Sequence, residues 1–558
     1  MRACIGGLVA FLVAACGPPV RGGDDDGADA NCALSCSSDL HSIIDCNGNT
    51  TMECAGASAC DPLTFTCTDA CVSAELNKRS IGCDYYATDM ELQSSSNDYC
   101  FAAFVANTWT TPAKITVRHN GVPLNAASFT RIPTGAGPAL TYAPYDPNVG
   151  VPPGEVAILF LSGASGGPAP NCPVVPAVPT SGRNGTYVGS SFNIQTDVPV
   201  VAYQINPYGG GAVAVTAASL LLPTSAWDVN YVAVNVSAAA AGRPSMNIVA
   251  KSDGTIVTMT PIAAVVAGTG IPAGTAGQPL NITLNAGQHA QISQTAELTG
   301  SAITATAPIG FMAGHECMNI PVGTSFCDHG EQMVPPVKAL GSRYVGVMYR
   351  PRVPAETTTF WRIIGAVDGT TLSYNTPIAG APTTINKGQV ALFETGTPFV
   401  VTSQDTDHPF MLFTYMSGST RFRSGFGDPD FVVSVPPEQY LSSYVFFADP
   451  TYPETNLVFI RTRGTNGQFH DVTLDCLGTI PTWTPIDNDF QWARVDLVTG
   501  NFMGVGSCST GRREASSTAP FGLWVWGWGT ETTTTPTRNV SYGYPGGMNV
   551  QQINDVIF

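Results

Sequence analysis

One phrase recurs four times along this chain of 558 residues: a proline set at the head of an apolar, strand-like run. It reads Asp-Val-Pro-Val-Val-Ala-Tyr from Asp197 to Tyr203 and Ala-Pro-Ile-Gly-Phe-Met from Ala307 to Met312. It returns as His-Pro-Phe-Met-Leu-Phe from His408 to Phe413 and Ala-Pro-Phe-Gly-Leu-Trp from Ala519 to Trp524. The prolines Pro199, Pro308, Pro409 and Pro520 stand 109, 101 and 111 residues apart. Regular spacing of this kind marks an internal repeat, so the chain is an array of similar modules. Flanking phrases repeat with it. A turn glycine precedes the proline by 21 residues at Gly287 and Gly388, and by 45 at Gly154, where an insertion carries Cys172. Leu221 to Pro223, Val334 to Pro336 and Val435 to Pro437 follow, and a tyrosine-led strand opens the next module at Tyr231, Tyr344 and Tyr444.

Within a module the pattern is β. Met246 to Ala250, Thr255 to Met259 and Asn281 to Leu284 alternate or run apolar, with Asp-Gly turns at Asp253 and Asp368. With 58 glycines, 43 prolines and only 12% charged residues, the composition suits short strands joined by turns. A module of this length exceeds the ~40–50 residues of a propeller blade. The expected fold is therefore all-β, built of repeated β-sandwich-like modules, with a β-propeller-like closed array as the alternative. The expected boundaries are 83–228 (with the insertion), 229–341, 342–441 and 442–558, preceded by a Cys-rich segment over 32–82.

The first 16 residues predict export. Arg2 is followed by an uncharged, largely apolar stretch that ends Val13-Ala14-Ala15-Cys16. Small residues before a cysteine resemble a bacterial lipobox, with Cys16 as the lipidated residue and 17–31 as a disordered acidic tether. The run is too short to span a bilayer, and the alternative is an ordinary secretory signal. The expected address is the bacterial cell envelope, lipid-anchored at the outer membrane or cell surface. The cysteine count agrees: of 16, setting aside Cys4 and Cys16 leaves an even 14. Seven crowd between Cys32 and Cys71 in a stretch too short and polar for a core, so bridges must hold it. Seven is odd, so one must reach outside, and the predicted pair is Cys71–Cys83; the others beyond the crowd are Cys100–Cys172, Cys317–Cys327 and Cys476–Cys508, with the connectivity inside it left open.

A net charge of -17 with no basic stripe excludes nucleic acid as a partner and leaves the membrane to the lipid anchor alone. Catalytic signatures are missing too. No Gly-x-Ser-x-Gly elbow, His-Glu-x-x-His helix or phosphate-binding glycine loop occurs. His315-Glu316-Cys317 and Cys327-Asp328-His329 bracket a nine-residue loop. These are zinc-ligand types, but in an oxidising compartment the two cysteines form a disulfide and remove the thiolates. A metal site on His315 and His329 is the weaker alternative. Trp524, Trp526 and Trp528 fall on one strand face and read as core, the alternative being a stacking platform for sugars.

Cys317-Met318-Asn319-Ile320-Pro321, Cys327-Asp328-His329, Glu331-Gln332, Pro335-Pro336 and Tyr344-Val345 together resemble the N-terminal domain of the IgG Fc-binding protein family. That domain also occurs in bacterial, myxobacterial-type cell-surface lipoproteins, with a similar ending, here Ser541 to Met548. The resemblance covers about 83–548. Gly427-Asp428-Pro429-Asp430 is similar to the family's self-cleaving Gly-Asp-Pro-His sequence with Asp430 replacing the histidine, which implies no self-cleavage here. The expected function is non-catalytic adhesion or ligand binding, without a cofactor, toward an extracellular protein or glycan. The expected contact surface is the Met318 to Phe326 loop with His315, Glu316, Asn319, Asp328, His329 and Glu331, plus the insertion around Cys172. A metal-assisted hydrolase of extracellular polymers and a structural envelope component are the alternatives.

Overall fold

A computed structural model describes residues 33–164, 171–210, 213–236, 242–423, 425–464, 466–530 and 537–558. The expected signal with its Cys16, the tether over 17–31, and Cys32 lie outside the described residues. The chain is all-β, and residues 81–545 form four two-sheet modules with one shared topology.

The third module shows the plan most simply. One sheet orders its strands Arg343–Gly346, Phe399–Ser403, Thr370–Tyr374 and Thr384–Ile385; the other orders them Val390–Thr395, Thr359–Gly365, Phe410–Met416 and Asp430–Val433. The chain leaves the first sheet after Ser403 and enters the second at Phe410, so the segment around Pro409 is a corner. In the other modules one long strand serves both sheets: Phe192–Asn206, Ala302–Met318 and Gly511–Trp528. Their pairing registers break between Gln195 and Val200, between Thr304 and Ile309, and between Ser516 and Phe521, around the repeated prolines. Proline has no N–H to offer a ladder, so it is tolerated where a strand leaves one sheet for another.

A tyrosine locks each corner. The hydroxyls of Tyr85, Tyr231 and Tyr344 donate to the carbonyls of Val200 (2.6 Å), Ile309 (2.7 Å) and Phe410 (2.8 Å), and Tyr444 donates to Phe521. Each acceptor is the residue directly after the repeated proline. The backbone N–H groups of Asp228, Gly341 and Leu441, three residues before their tyrosines, donate back to the hydroxyls. The corner also divides the burial. In Ala302–Met318 the residues before Pro308 are mostly part-exposed, whereas those from Ile309 to His315 are all buried. The half after the corner belongs to an inner sheet with a core on both faces, and so reads as a continuous apolar run rather than an alternating one.

Each module ends in a closing strand: Ala217–Leu221, Asp328–Met333, Asp430–Val433 and Ser541–Pro545. These four strands neighbour one another in a closed ring, the fourth returning to the first. Sandwich modules and closed array are thus both present, at two levels of the same architecture. On the axis the Gln332 amide donates to the carbonyls of Ala218 and Gly543, both at 2.8 Å, tying strands of three modules together. Core clusters run across modules, with Tyr231, Phe311, Phe413 and Phe431 in one of them. The tail threads beneath the ring. Met548 accepts from the Ser80 N–H, Asn549 donates to Gln439, Ile553 to Lys338, and the Asn230 amide to Val556. The insertion departs from the modular order: its strand Tyr187–Ser190 joins the second module's sheet beside Gln288–Ser293.

The Cys-rich segment holds a three-stranded sheet, a hairpin and the helix Ala70–Asn77, which Asp69 caps by accepting from the N–H groups of Cys71 and Val72. Disulfides Cys36–Cys60 and Cys54–Cys67 staple it, and Cys46 is also bridged. It seats on modules one and four: its helix packs against Phe192–Asn206, the Trp109 indole donates to Gly56 (2.7 Å), and the Ser38 and Ser442 hydroxyls meet at 2.7 Å.

Candidate ligand-binding face

Within each module the second strand runs antiparallel to the last part of the corner strand: Pro244 lies opposite His315, Phe360 opposite Tyr415, and Glu454 opposite Trp528. The loops entering the second strands and the loops leaving the corner strands therefore emerge at one end of the ring. Hydrogen bonds join them across modules. Gly418 N–H donates to Ile320 (2.8 Å), Ser325 N–H to the Thr420 hydroxyl (3.3 Å), Gly427 N–H to Arg538 (2.6 Å) and Gly210 N–H to the Thr451 hydroxyl (2.9 Å). The result is a continuous loop surface on a rigid scaffold, the usual arrangement for recognition.

The Met318 to Phe326 loop stands on this surface. Cys317 and Cys327 are joined at its base, and the Asn319 amide, itself buried, donates to Thr324 (3.0 Å) across its interior. Val322 at the tip is 58% exposed and Phe326, beside the base, 55%, two large apolar side chains held outward on a closed loop. Glu316 lies beside it, 3.1 Å from Arg243 and 3.3 Å from the Asn184 amide of the insertion. Arg243 also stands 3.9 Å from buried Glu91, which accepts the Gly185 N–H (2.9 Å). The insertion, closed by Cys100–Cys172, and the Cys317 loop thus meet through one charged cluster. Disulfides Cys71–Cys83 and Cys476–Cys508 lie elsewhere, at the helix and in the fourth module.

The remaining expected site residues lie inside. His315, Asp328, His329 and Glu331 are fully buried. His315 Nδ1 accepts the Cys317 N–H (2.9 Å), His329 Nδ1 lies 2.9 Å from the His315 carbonyl, and His329 Nε2 lies 3.6 Å from Glu331 Oε2. Glu331 also accepts from the Gln204 amide (2.7 Å). Burial, aided by the nearby His329 imidazole, pushes His315 down to about 3. Burial raises the Glu331 carboxyl, and raises Asp328 well above the carboxylate range with the help of Asp428 and Asp430. Ser541 on the axis donates to Asp328 (3.3 Å) and to the Asp428 carbonyl (2.7 Å). Among the described residues no group of three or more His, Cys, Asp or Glu side chains is placed to hold a metal ion. The cysteine sulfurs are bonded to each other, and His329 turns Nδ1 to a backbone carbonyl while its Nε2 lies beside Glu331 without a hydrogen bond. These groups cannot meet a macromolecule; they are the polar filling of the ring's axis.

Sequence reasoning did not find the acids that share the axis. Asp428 and Asp430 drew notice only through a cleavage-like phrase, although an aspartate heading the apolar run Phe431-Val432-Val433 was a signal for a buried carboxyl. Glu91, Arg243 and Asn184 carry no local pattern at all. Trp524, Trp526 and Trp528 are buried and present no stacking platform. A separate cleft of about 830 Å³ lies where the Cys-rich segment meets modules one and four, with Asp39, His41, Glu53 and Arg512 on its walls. The His41 ring covers Trp109 there at 4.1 Å, leaving no aromatic face open.

Comparison with known proteins matches residues 217–527 to the family described as IgGFc binding protein. The match runs from the first closing strand to the last corner strand, more than half of the chain. The human IgGFc-binding protein is 25% identical over 239 residues, which is 42% of this chain but only 4% of that protein's length.

Proposed function

Because the chain belongs to the IgGFc-binding protein family, we propose that it is a non-catalytic binding protein that takes an extracellular protein ligand on its loop face. The observation that carries this reading is the disulfide-closed loop presenting Val322 and Phe326 on a surface fed by all four modules. Exposed apolar side chains on a pre-organised loop lose little entropy on binding and fit the anchor role that hot spots play. A glycan is the lesser fit, since no indole is open on the described face. With its lipobox-like start, the protein is anchored through lipid on Cys16 at the bacterial cell surface, the ring held out by the 17–31 tether, and acts there in adhesion. Labelling with a radioactive fatty acid, lost in Cys16→Ser, tests the anchor.

The binding test uses Val322→Asp with Phe326→Asp in the full-length protein. Both side chains are exposed, so circular dichroism should be unchanged. Immobilised IgG Fc and immobilised mucin serve as probes, the first because the human relative carries that name. Binding to either probe should fall at least tenfold in the double variant. Equal binding by variant and parent would remove this loop from the function.

A further inference from the structure

The outermost strand of each module's inner sheet is capped in three modules and bare in one. In module one Thr130–Thr134 pairs with Val156–Ser162; in module two Tyr187–Ser190 pairs with Gln288–Ser293; in module four Thr484–Pro485 and Met503–Gly504 pair with Phe490–Thr499. In module three the equivalent strand Val390–Thr395 ends its sheet, with no further strand on its outer side among the described residues. Open edges are normally blunted by charge, proline or a covering segment, because their free N–H and C=O groups recruit other strands. This edge has the opposite character. Val390 is 39% and Leu392 54% exposed, whereas the comparable bare strand Leu280–Leu284 exposes Asn281 and Thr283.

The register fixes which groups are free. Gly365 N–H donates to Gln389 and lies opposite it, and pairing continues through Ile363 with Ala391 and Trp361 with Phe393. In an antiparallel ladder the backbone groups of successive residues point to opposite sides. Those of Ala391 and Phe393 therefore face Thr359–Gly365, and those of Val390, Leu392 and Glu394 face outward.

We propose that this edge pairs with the same edge of a second copy of the chain, antiparallel, with Leu392 on the two-fold axis. Of the symmetric registers, the one centred on Leu392 engages the outward groups of all three residues, whereas centring on Ala391 or Phe393 engages only two of them. Leu392 then meets Leu392 of the second copy, and Val390 faces Glu394. Charge favours this place for self-association. The chain carries -17, which sets two copies against each other over most of their surface. At this edge Val390 and Leu392 are uncharged, and Glu394 is neutralised by Arg421 (2.5 Å), so the register opposes no like charges. The chain already uses this mode within itself, where the insertion lays Tyr187–Ser190 along the corresponding strand of module two. The inference does not depend on the ligand-binding reading, since it rests on the outward backbone of Val390–Thr395 and its test reads self-association rather than ligand capture.

The test is sedimentation velocity and non-reducing electrophoresis of the purified full-length protein. The parent should show a concentration-dependent dimer. Leu392→Pro removes an outward N–H and an exposed leucine side chain but no bond to Thr359–Gly365, so it should keep the parent's near-ultraviolet dichroism and sediment as a monomer at least tenfold above the parent's dissociation concentration. Leu392→Cys should form a cross-linked dimer, because facing Cα atoms in a bonded pair stand ~5.5 Å apart, within disulfide reach. Val390→Cys should cross-link poorly, its counterpart being displaced by about four residues, ~13 Å. A parent that stays monomeric, as it would if the edge awaited a strand from another protein, overturns the proposal. So does equal cross-linking by Val390→Cys and Leu392→Cys, or a dimer that Leu392→Pro leaves intact.

Discussion

Replacing Tyr344 by phenylalanine tests the idea that the tyrosine hydroxyl holds the proline corner. The side chain is 1% exposed, donates to Phe410 at 2.8 Å and accepts from Gly341 at 3.1 Å. The ring would stay, so packing is nearly unchanged, and what is lost is one partner each for a backbone C=O and a backbone N–H. A buried backbone group left without its partner costs about 1–2 kcal/mol, or about 2–4 kcal/mol for the two together. That corresponds to a factor of about thirty to a thousand in the local folded-to-open ratio. The modules share cores, so the effect is best read as local opening by native-state hydrogen exchange of peptides spanning 399–416. Tyr440→Phe supplies the matched control: that hydroxyl is equally buried but has no hydrogen-bond partner, so its removal should be neutral or stabilising. If Tyr344→Phe leaves exchange at the corner unchanged, or shifts it no more than Tyr440→Phe does, the corner is held by packing alone and the reasoning fails.

Burial raises Asp428 to about 8 and Glu91 to about 7, so the fold favours their protonated forms. Their stabilising effect is complete below the unfolded carboxylate range and is lost as pH rises through those values. His289 and His315, pushed down to about 3 by burial, work in the other direction, but only below their unfolded value near 6.5. Between pH 6.5 and 8.5 the acids therefore dominate. Urea midpoints should fall with rising pH over that interval, and Asp428→Asn should flatten the fall; a parent midpoint that rises instead would refute the assignment. At the tail, Asn554 donates to the carbonyls of Val337 and Leu340 at 2.7 and 2.9 Å, so Asn554→Ala should cost about 2 kcal/mol. Gln552→Ala, on an exposed side chain, should cost within ~0.5 kcal/mol, both read from urea curves.

The repeat was legible because its causes are local. A proline that cannot join a ladder, and an apolar run behind it that must be buried, leave the same trace in each module whatever surrounds them. The tyrosines at 231, 344 and 444 belonged to that trace, and Tyr85, which does the same work in module one, was hidden because no module precedes it to supply the proline phrase that announces the others. Alternation before Pro308 and continuity after it likewise recorded one-sided and two-sided burial directly in residue types. Other decisions required the ring. His315, Asp328, His329 and Glu331 carry the chemistry of a surface site, and nothing within several residues of them says otherwise. They are interior because closing strands from four modules meet on one axis, at separations of about a hundred residues that no local pattern encodes. The bare edge at Val390–Thr395 is likewise defined by a strand that the other three modules possess and that, among the described residues, this one does not. Residue type and spacing therefore determined the module and its corners, while the fate of each polar side chain was decided by which distant backbone came to lie against it, since desolvation and hydrogen bonding depend on neighbours in space rather than in sequence.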